Sequence, residues 1–133
     1  MKFADTSYLL ALLNPGDEFH DSAADLSAAL DEVIVTTAWV LTELGDALHR
    51  GRNRETFGHF LDTLAEHEDF EIVPASPELF RRGIALFRAR PDKEWSLTDC
   101  ISFVVMDEKG ISEALTSDRH FEQAGFKALL QAP

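Results

Sequence analysis

The sequence predicts an α/β fold with a short, mainly parallel β-sheet, on two observations. Short strand-like segments alternate with longer helical ones along the whole chain, the pattern of strands joined by helical crossovers. No low-complexity stretch, repeat or linker interrupts that alternation, so the 133 residues are expected to form a single domain, 1–133. A hydrophobic fraction of 45% supplies the apolar side chains for its core.

Taken in order, a strand is expected over residues 2–4, followed by an apolar helical turn over 8–13 that Asn14-Pro15-Gly16 breaks. A helix over about 18–30 comes next. Val33-Ile34-Val35-Thr36 is β-branched throughout and reads as a buried strand; helical spacing then runs over 38–49 and stops near Gly51. Another helix is expected over 54–66. Phe70-Glu71-Ile72-Val73 reads as a strand closed by Pro74, and Ser76-Pro77 opens a helix to about Ala89 with a capping hydroxyl and a proline at the first position. The most apolar helix spans 98–109 and ends at Gly110, before a strand over 114–116, Asp118 and a last helical turn.

Composition narrows the function classes. One cysteine, Cys100, excludes an internal disulfide and a cysteine-based zinc cluster. The acidic residue at position 5 comes too early for a signal peptide, and no apolar run approaches the roughly 18 residues of a membrane span, so a cytoplasmic protein is expected. The net charge of -12 opposes a nucleic-acid partner, since phosphate affinity comes largely from Lys and Arg. Eight of the twelve basic residues nonetheless fall in two stretches: Arg50, Arg52, Arg54, then Arg81, Arg82, Arg88, Arg90, Lys93. These are either solvated helix ends or nucleic-acid contacts.

Acidic residues gain meaning from where the strands end, because α/β sheets bind ligands beyond their carboxyl edges. Asp5 and Asp118 each follow a strand directly. An aspartate there also commonly caps the next helix. Asp99 fits a capping box in Ser96-Leu97-Thr98-Asp99, yet it shares a stripe with Ser102, Phe103 and Met106 on the most apolar helix, which draws it inward. Glu43 lies at the border of the arc made by Val40, Leu41, Leu44, Ala47 and Leu48, whereas Asp46 falls on the opposite, solvated face.

Four carboxylates brought together repel one another, and such a cluster persists when a cation occupies it. Oxygen ligation selects a hard ion, Mg2+ or Mn2+. Such an ion acidifies water and stabilises charge on phosphoryl oxygens. Thr6, Ser7, Thr116 and Ser117 flank the strand-end aspartates and are candidates for orienting them by hydrogen bonds, or simply turn and cap hydroxyls. Phe57, Phe60, Phe80 and Phe87 read as core or dimer-interface packing, as do Trp39 and Trp95; His120, the one histidine close in sequence to an acid of the proposed site, reads as packing or a local hydrogen bond.

Phe3-Ala4-Asp5-Thr6-Ser7, Thr42-Glu43-Leu44, Trp95-Ser96-Leu97-Thr98-Asp99-Cys100-Ile101-Ser102-Phe103 and Leu115-Thr116-Ser117-Asp118-Arg119-His120-Phe121 with Gly125-Phe126 together resemble the PIN-domain ribonucleases, and more narrowly the VapC-type toxins of toxin–antitoxin pairs. The resemblance covers nearly the whole chain. It implies a PIN-like three-layer α/β/α sandwich and a metal-dependent endoribonuclease, with Asp5, Glu43, Asp99 and Asp118 as metal-site acids. It also implies an RNA substrate, a homodimer, and an antitoxin whose tail inserts a basic side chain at the acidic pocket. Arg50, Arg52, Arg54, Arg88, Arg90 and Lys93 are the candidate RNA contacts. Alternatives are an RNA-processing nuclease outside a toxin pair, a catalytically silent PIN-like binding module, and a phosphotransfer domain using Asp5. The last lacks a second aspartate two residues on.

Overall fold

A computed structural model describes residues 1–131; the last two residues of the expected domain span 1–133 lie outside the described range. In chain order the elements are β1 (Lys2–Ala4), α1 (Thr6–Leu13), α2 (His20–Ala29), β2 (Ile34–Thr37), α3 (Ala38–Ala47), α4 (Arg52–Glu66), β3 (Phe70–Val73), α5 (Pro77–Ala89), α6 (Leu97–Lys109), β4 (Glu113–Leu115), α7 (Arg119–Gln123) and β5 (Lys127–Ala128). The strands form one sheet in the order β3-β2-β1-β4-β5, every neighbouring pair parallel. Phe3 of β1 faces Val35 on one side and Ala114 on the other.

Strand order explains where a ligand site can form. From β1 the chain steps outward through β2 to β3, then returns past β1 to β4 and steps the opposite way to β5. Right-handed crossovers put helices on opposite faces when the stepping direction reverses, α1 to α4 on one face and α5 to α7 on the other. The reversal falls between β1 and β4, which opens a crevice beyond their carboxyl ends. Helix α6 feeds β4 and runs back against it, so its first turn also lies at that edge.

Buried side chains from both layers meet at the sheet. Phe3, Leu9, Val35, Val40, Leu44, Ile101, Val105, Met106, Leu115 and Phe121 are essentially inaccessible. Phe103 of α6 packs edge-on against Trp95 and Phe121, with centroids 5.1 and 4.9 Å away, geometry that suits the ring quadrupoles. Helix ends follow their sequence signals. Ser76 caps α5 by accepting from Leu79 N–H at 3.1 Å, and α6 ends at Gly110, whose φ of 67° lies in the left-handed region that glycine adopts freely.

Differences from the sequence-based elements are local. β5 has no counterpart among them. β2 is shifted one residue along, from 33–36 to Ile34–Thr37, and Thr37 pairs with Val73 and then caps α3 by accepting from Val40 N–H at 3.1 Å. Trp95 is buried in the core. Phe57 and Phe60 pack against that core as expected, whereas Phe80 and Phe87, at the border of the α5 face that carries Leu79 and Gly83, are 42% and 49% exposed and outside the core. No helix among the described residues is long and apolar enough to cross a membrane.

Candidate metal centre

A cleft of about 400 Å³ at the switch point is lined by Asp5, Thr6, Ser7, Glu43, Glu94, Ser96, Asp99, Asp118 and His120. All four acids singled out from the sequence line it. Each arrives on a different element. Asp5 is the first residue beyond β1 and its N–H still bonds to Leu115 O, extending the ladder with β4 at 3.1 Å. Glu43 projects from the second turn of α3 and accepts a short hydrogen bond from the Thr6 hydroxyl. Asp99 sits in the first turn of α6, and Asp118 three residues beyond β4.

The hydroxyls behind these acids form one network. Thr116 Oγ1 donates to Asp5 Oδ2 at 2.8 Å and accepts from Asp118 N–H at 3.0 Å. Ser7 Oγ lies 3.0 Å from Thr116 Oγ1 and 3.3 Å from Asp5 Oδ2, while accepting from Ser117 N–H at 3.2 Å. A hydroxyl carries a single proton. Since that of Thr116 goes to Asp5, the single Ser7 proton is shared between Thr116 Oγ1 and Asp5 Oδ2. Thr116 and Ser7 thus fix the Asp5 carboxylate, and Thr116 ties it to the turn that carries Asp118. Ser117 contributes its backbone N–H.

The capping alternatives divide. Asp5 makes no side-chain cap to α1. Asp118 does cap α7, accepting from His120 N–H at 2.9 Å through Oδ1. Asp99 completes a capping box with Ser96, the two bonds being 3.0 and 3.2 Å, and it also faces the cleft. Its cap role uses Oδ2, which leaves Oδ1 outside the box.

Electrostatics of the cleft are those of crowded acids, of which Asp5 and Asp99 are buried. Asp5 is 5% exposed, and burial pushes its carboxyl from 3.8 to about 7; the Thr116 hydrogen bond pulls it down, and the charges on Asp99 and Asp118 add to the rise. Burial also raises Asp99, with Asp118 adding to it, while the Ser96 N–H and His120 oppose. Among the described residues, no Lys or Arg lines the cleft to offset these charges. Buried carboxylates aimed into an open cleft, held by hydroxyls and lacking a cationic side chain, fit a hard divalent cation.

Two cleft residues escape the sequence reading. Glu94 is an exposed acid preceding the buried Trp95, a place with no periodic signal. His120, whose sequence context suggests packing or a local hydrogen bond, has its Nδ1 3.2 Å from Asp99 Oδ2 and 3.4 Å from Asp118 Oδ1. Asp99, Asp118 and His120 each present a ligand atom within 4.8 Å of the others. The spacing Asp118-Arg119-His120, in which a capped turn folds the second residue back over the first, was the available signal.

None of Arg50, Arg52, Arg54, Arg88, Arg90 and Lys93 lines the cleft. Arg50 and Arg54 bond to the His49 side chain and carbonyl at 3.1 and 3.0 Å. Arg54 also lines a separate groove of about 470 Å³ between α3 and α4, with Leu41, Asp46 and Phe57. Arg90 makes a bidentate pair with Asp92, both bonds 2.9 Å, and stacks 5.2 Å from the centre of the Trp95 ring.

Comparison with known proteins agrees with this layout. The PIN domain family model matches residues 2–127. The 23S rRNA-specific endonuclease VapC20 of Mycobacterium tuberculosis is 34% identical over 127 residues, 95% of each chain. The crystal structure of that protein, described as a sarcin-ricin loop cleaving toxin, superposes with a TM-score of 0.87 and 28% identity over the full length of both chains. VapBC2 from Rickettsia felis, solved bound to a promoter DNA fragment, shares the fold at a TM-score of 0.67 and 15% identity, covering 96% of each chain.

Proposed function

Because the chain belongs to the PIN-domain family, in its VapC-type branch, we propose that it is a metal-dependent endoribonuclease acting as the toxin of a toxin–antitoxin pair. The observation that carries this reading is the convergence of Asp5, Glu43, Asp99 and Asp118 on one cleft at the strand-order reversal, with no Lys or Arg of the described residues lining it. Asp5, Asp99, Asp118 and Glu43 are the residues that would hold Mg2+ or Mn2+. When bound, such an ion supplies Lewis acidity toward phosphoryl oxygens and lowers the pKa of attacking water.

The chain's own residues do the rest. Thr116 and Ser7 hold the Asp5 carboxylate in one orientation, so that no rotamer search precedes ligand binding. Thr6 does the same for Glu43, keeping an exposed side chain turned into the cleft. The Thr6 and Ser7 hydroxyls of the cleft are engaged as donors to Glu43 and Asp5, the acids that would hold the ion, and the chemistry this suits is hydrolysis by water. Repulsion between the acids and the phosphate backbone is relieved only when cation charge is present, which makes productive RNA binding metal-dependent.

The name of the Mycobacterium tuberculosis relative makes 23S rRNA the substrate class to try first. An antitoxin partner fits the acidic balance of -12, since a basic tail meets complementary charge at the cleft. A homodimer and a cytoplasmic location go with the same reading. The test is cleavage of ribosomal RNA by purified protein with Mg2+ or Mn2+. Asp5→Asn and Asp99→Asn should each lower the rate by about 100-fold or more while leaving the fold intact, given the size of effect when transition-state charge stabilisation is lost. Undiminished cleavage in both variants overturns the reading.

A further inference from the structure

We propose that His120 is itself a metal ligand in this chain, giving the centre a mixed carboxylate and imidazole donor set that favours first-row transition ions, Mn2+ among them, over Mg2+. The inference rests on the reading above, that the acids hold a divalent cation, and adds a donor that the four acids do not include.

Three observations carry it. His120 Nδ1 stands nearly midway between two carboxylate oxygens of different residues, 3.2 Å from Asp99 Oδ2 and 3.4 Å from Asp118 Oδ1. Both separations are long for a charge-assisted N–H to carboxylate bond, which runs about 2.7–2.9 Å. They lie nearer the edge of a coordination octahedron, where bonds of about 2.1–2.2 Å set neighbouring donors about 3.0–3.1 Å apart. Second, His120 N–H donates to Asp118 Oδ1 at 2.9 Å within the cap of α7, which fixes the backbone from which the ring enters the cleft. Third, the His120 side chain is 22% exposed and lines the same cleft as the acids, so Nδ1 is accessible to an entering ion.

Donor chemistry then sets the preference. Mg2+ takes oxygen ligands and tolerates nitrogen poorly, whereas divalent transition ions accept imidazole readily. Replacing one oxygen donor by Nδ1 raises the affinity for Mn2+ relative to Mg2+ without changing the geometry of the acids.

The experiment uses the full chain, stripped of metal and reloaded with Mn2+. Pulsed electron paramagnetic resonance on protein carrying unlabelled or nitrogen-15 histidine reads directly bound imidazole, and calorimetry with Mn2+ and Mg2+ reads the affinity ratio. The expected result is an isotope-sensitive nitrogen coupling in the wild type that is absent in His120→Asp. That variant should still bind Mn2+, with the Mn2+ to Mg2+ affinity ratio lower by roughly 10- to 100-fold, the range seen when groups around metal ligands are altered. Bound Mn2+ without nitrogen coupling, and an unchanged ratio in His120→Asp, overturns the proposal while the metal centre stands. Absence of Mn2+ binding to the wild type overturns both.

Discussion

Asp5 is a buried acid whose ionisation is costly, and that cost has a direction in pH. Burial raises its carboxyl from 3.8 to about 7. Between those values the unfolded chain has released the proton and the folded one retains it, so ν for the unfolded state is the smaller and stability falls as pH rises. In metal-free protein, chemical denaturation should therefore show less stability at pH 8 than at pH 5.5, by on the order of a few kcal/mol from this residue. Asp5→Asn removes the ionisation while keeping an acceptor for Thr116. It should flatten that pH dependence and leave the metal-free protein more stable than wild type at pH 8, though inactive. A variant less stable at pH 8 would mean that the buried charge is not the source of the cost. Thr116 is the second sensitive residue, because its hydroxyl serves both Asp5 and the Asp118 N–H. Thr116→Val preserves shape and strands both partners. It should destabilise by roughly 1–3 kcal/mol and weaken metal binding about 10- to 100-fold, whereas Thr116→Ser should do neither.

At the scale of elements, α5 and α6 are held together by a close approach at Gly83. A Cβ there would stand 2.3 Å from Ile101 Cγ1, and Ile101 is fully buried in the core. Gly83→Ala should cost about 1–3 kcal/mol by overpacking despite the better helix propensity of alanine, measurable as a fall in denaturation midpoint at unchanged m-value. Gly58, with nothing within 4 Å of its Cβ direction, is the control that should gain stability on the same change. Much of this layer was legible in the sequence, since β-branched runs, Ser76-Pro77 and the Ser96 to Asp99 box each act locally. β5 was not, because two residues, Lys127 and Ala128, with only the second buried, carry no alternation to read. For Phe80 and Phe87 the core half of the reading fails and the interface half stays open: helical spacing groups residues on a face but does not say which neighbour covers it. The four acids were found by their relation to strand ends and helix faces, which sequence does record. His120 and Glu94 were not, because they enter the cleft through the path of turns.

For the whole molecule the question is how a chain of net charge -12 engages a polyanion. Within both basic stretches some cations are already occupied. Arg82 is ion-paired with Glu108, and Arg54 is turned to the His49 carbonyl. Arg88 and Lys93 flank the Arg90–Asp92–Trp95 cluster, which leads directly into Glu94 and Ser96 at the cleft. RNA approaching the acids from that side meets the cations of this segment first. Binding should be measured in the presence of Mg2+ on Asp5→Asn protein, which leaves the RNA intact and keeps three of the acids. There, Arg88→Ala and Lys93→Ala together should weaken affinity. They should also reduce the slope of log affinity against log salt by up to about 2, roughly 1 for each phosphate that is no longer neutralised. Arg82→Ala, which only frees Glu108, should leave the slope unchanged. A low slope in the parent that none of these changes alters would mean that the bound cation, rather than the Arg88 to Lys93 segment, supplies the positive charge that RNA meets.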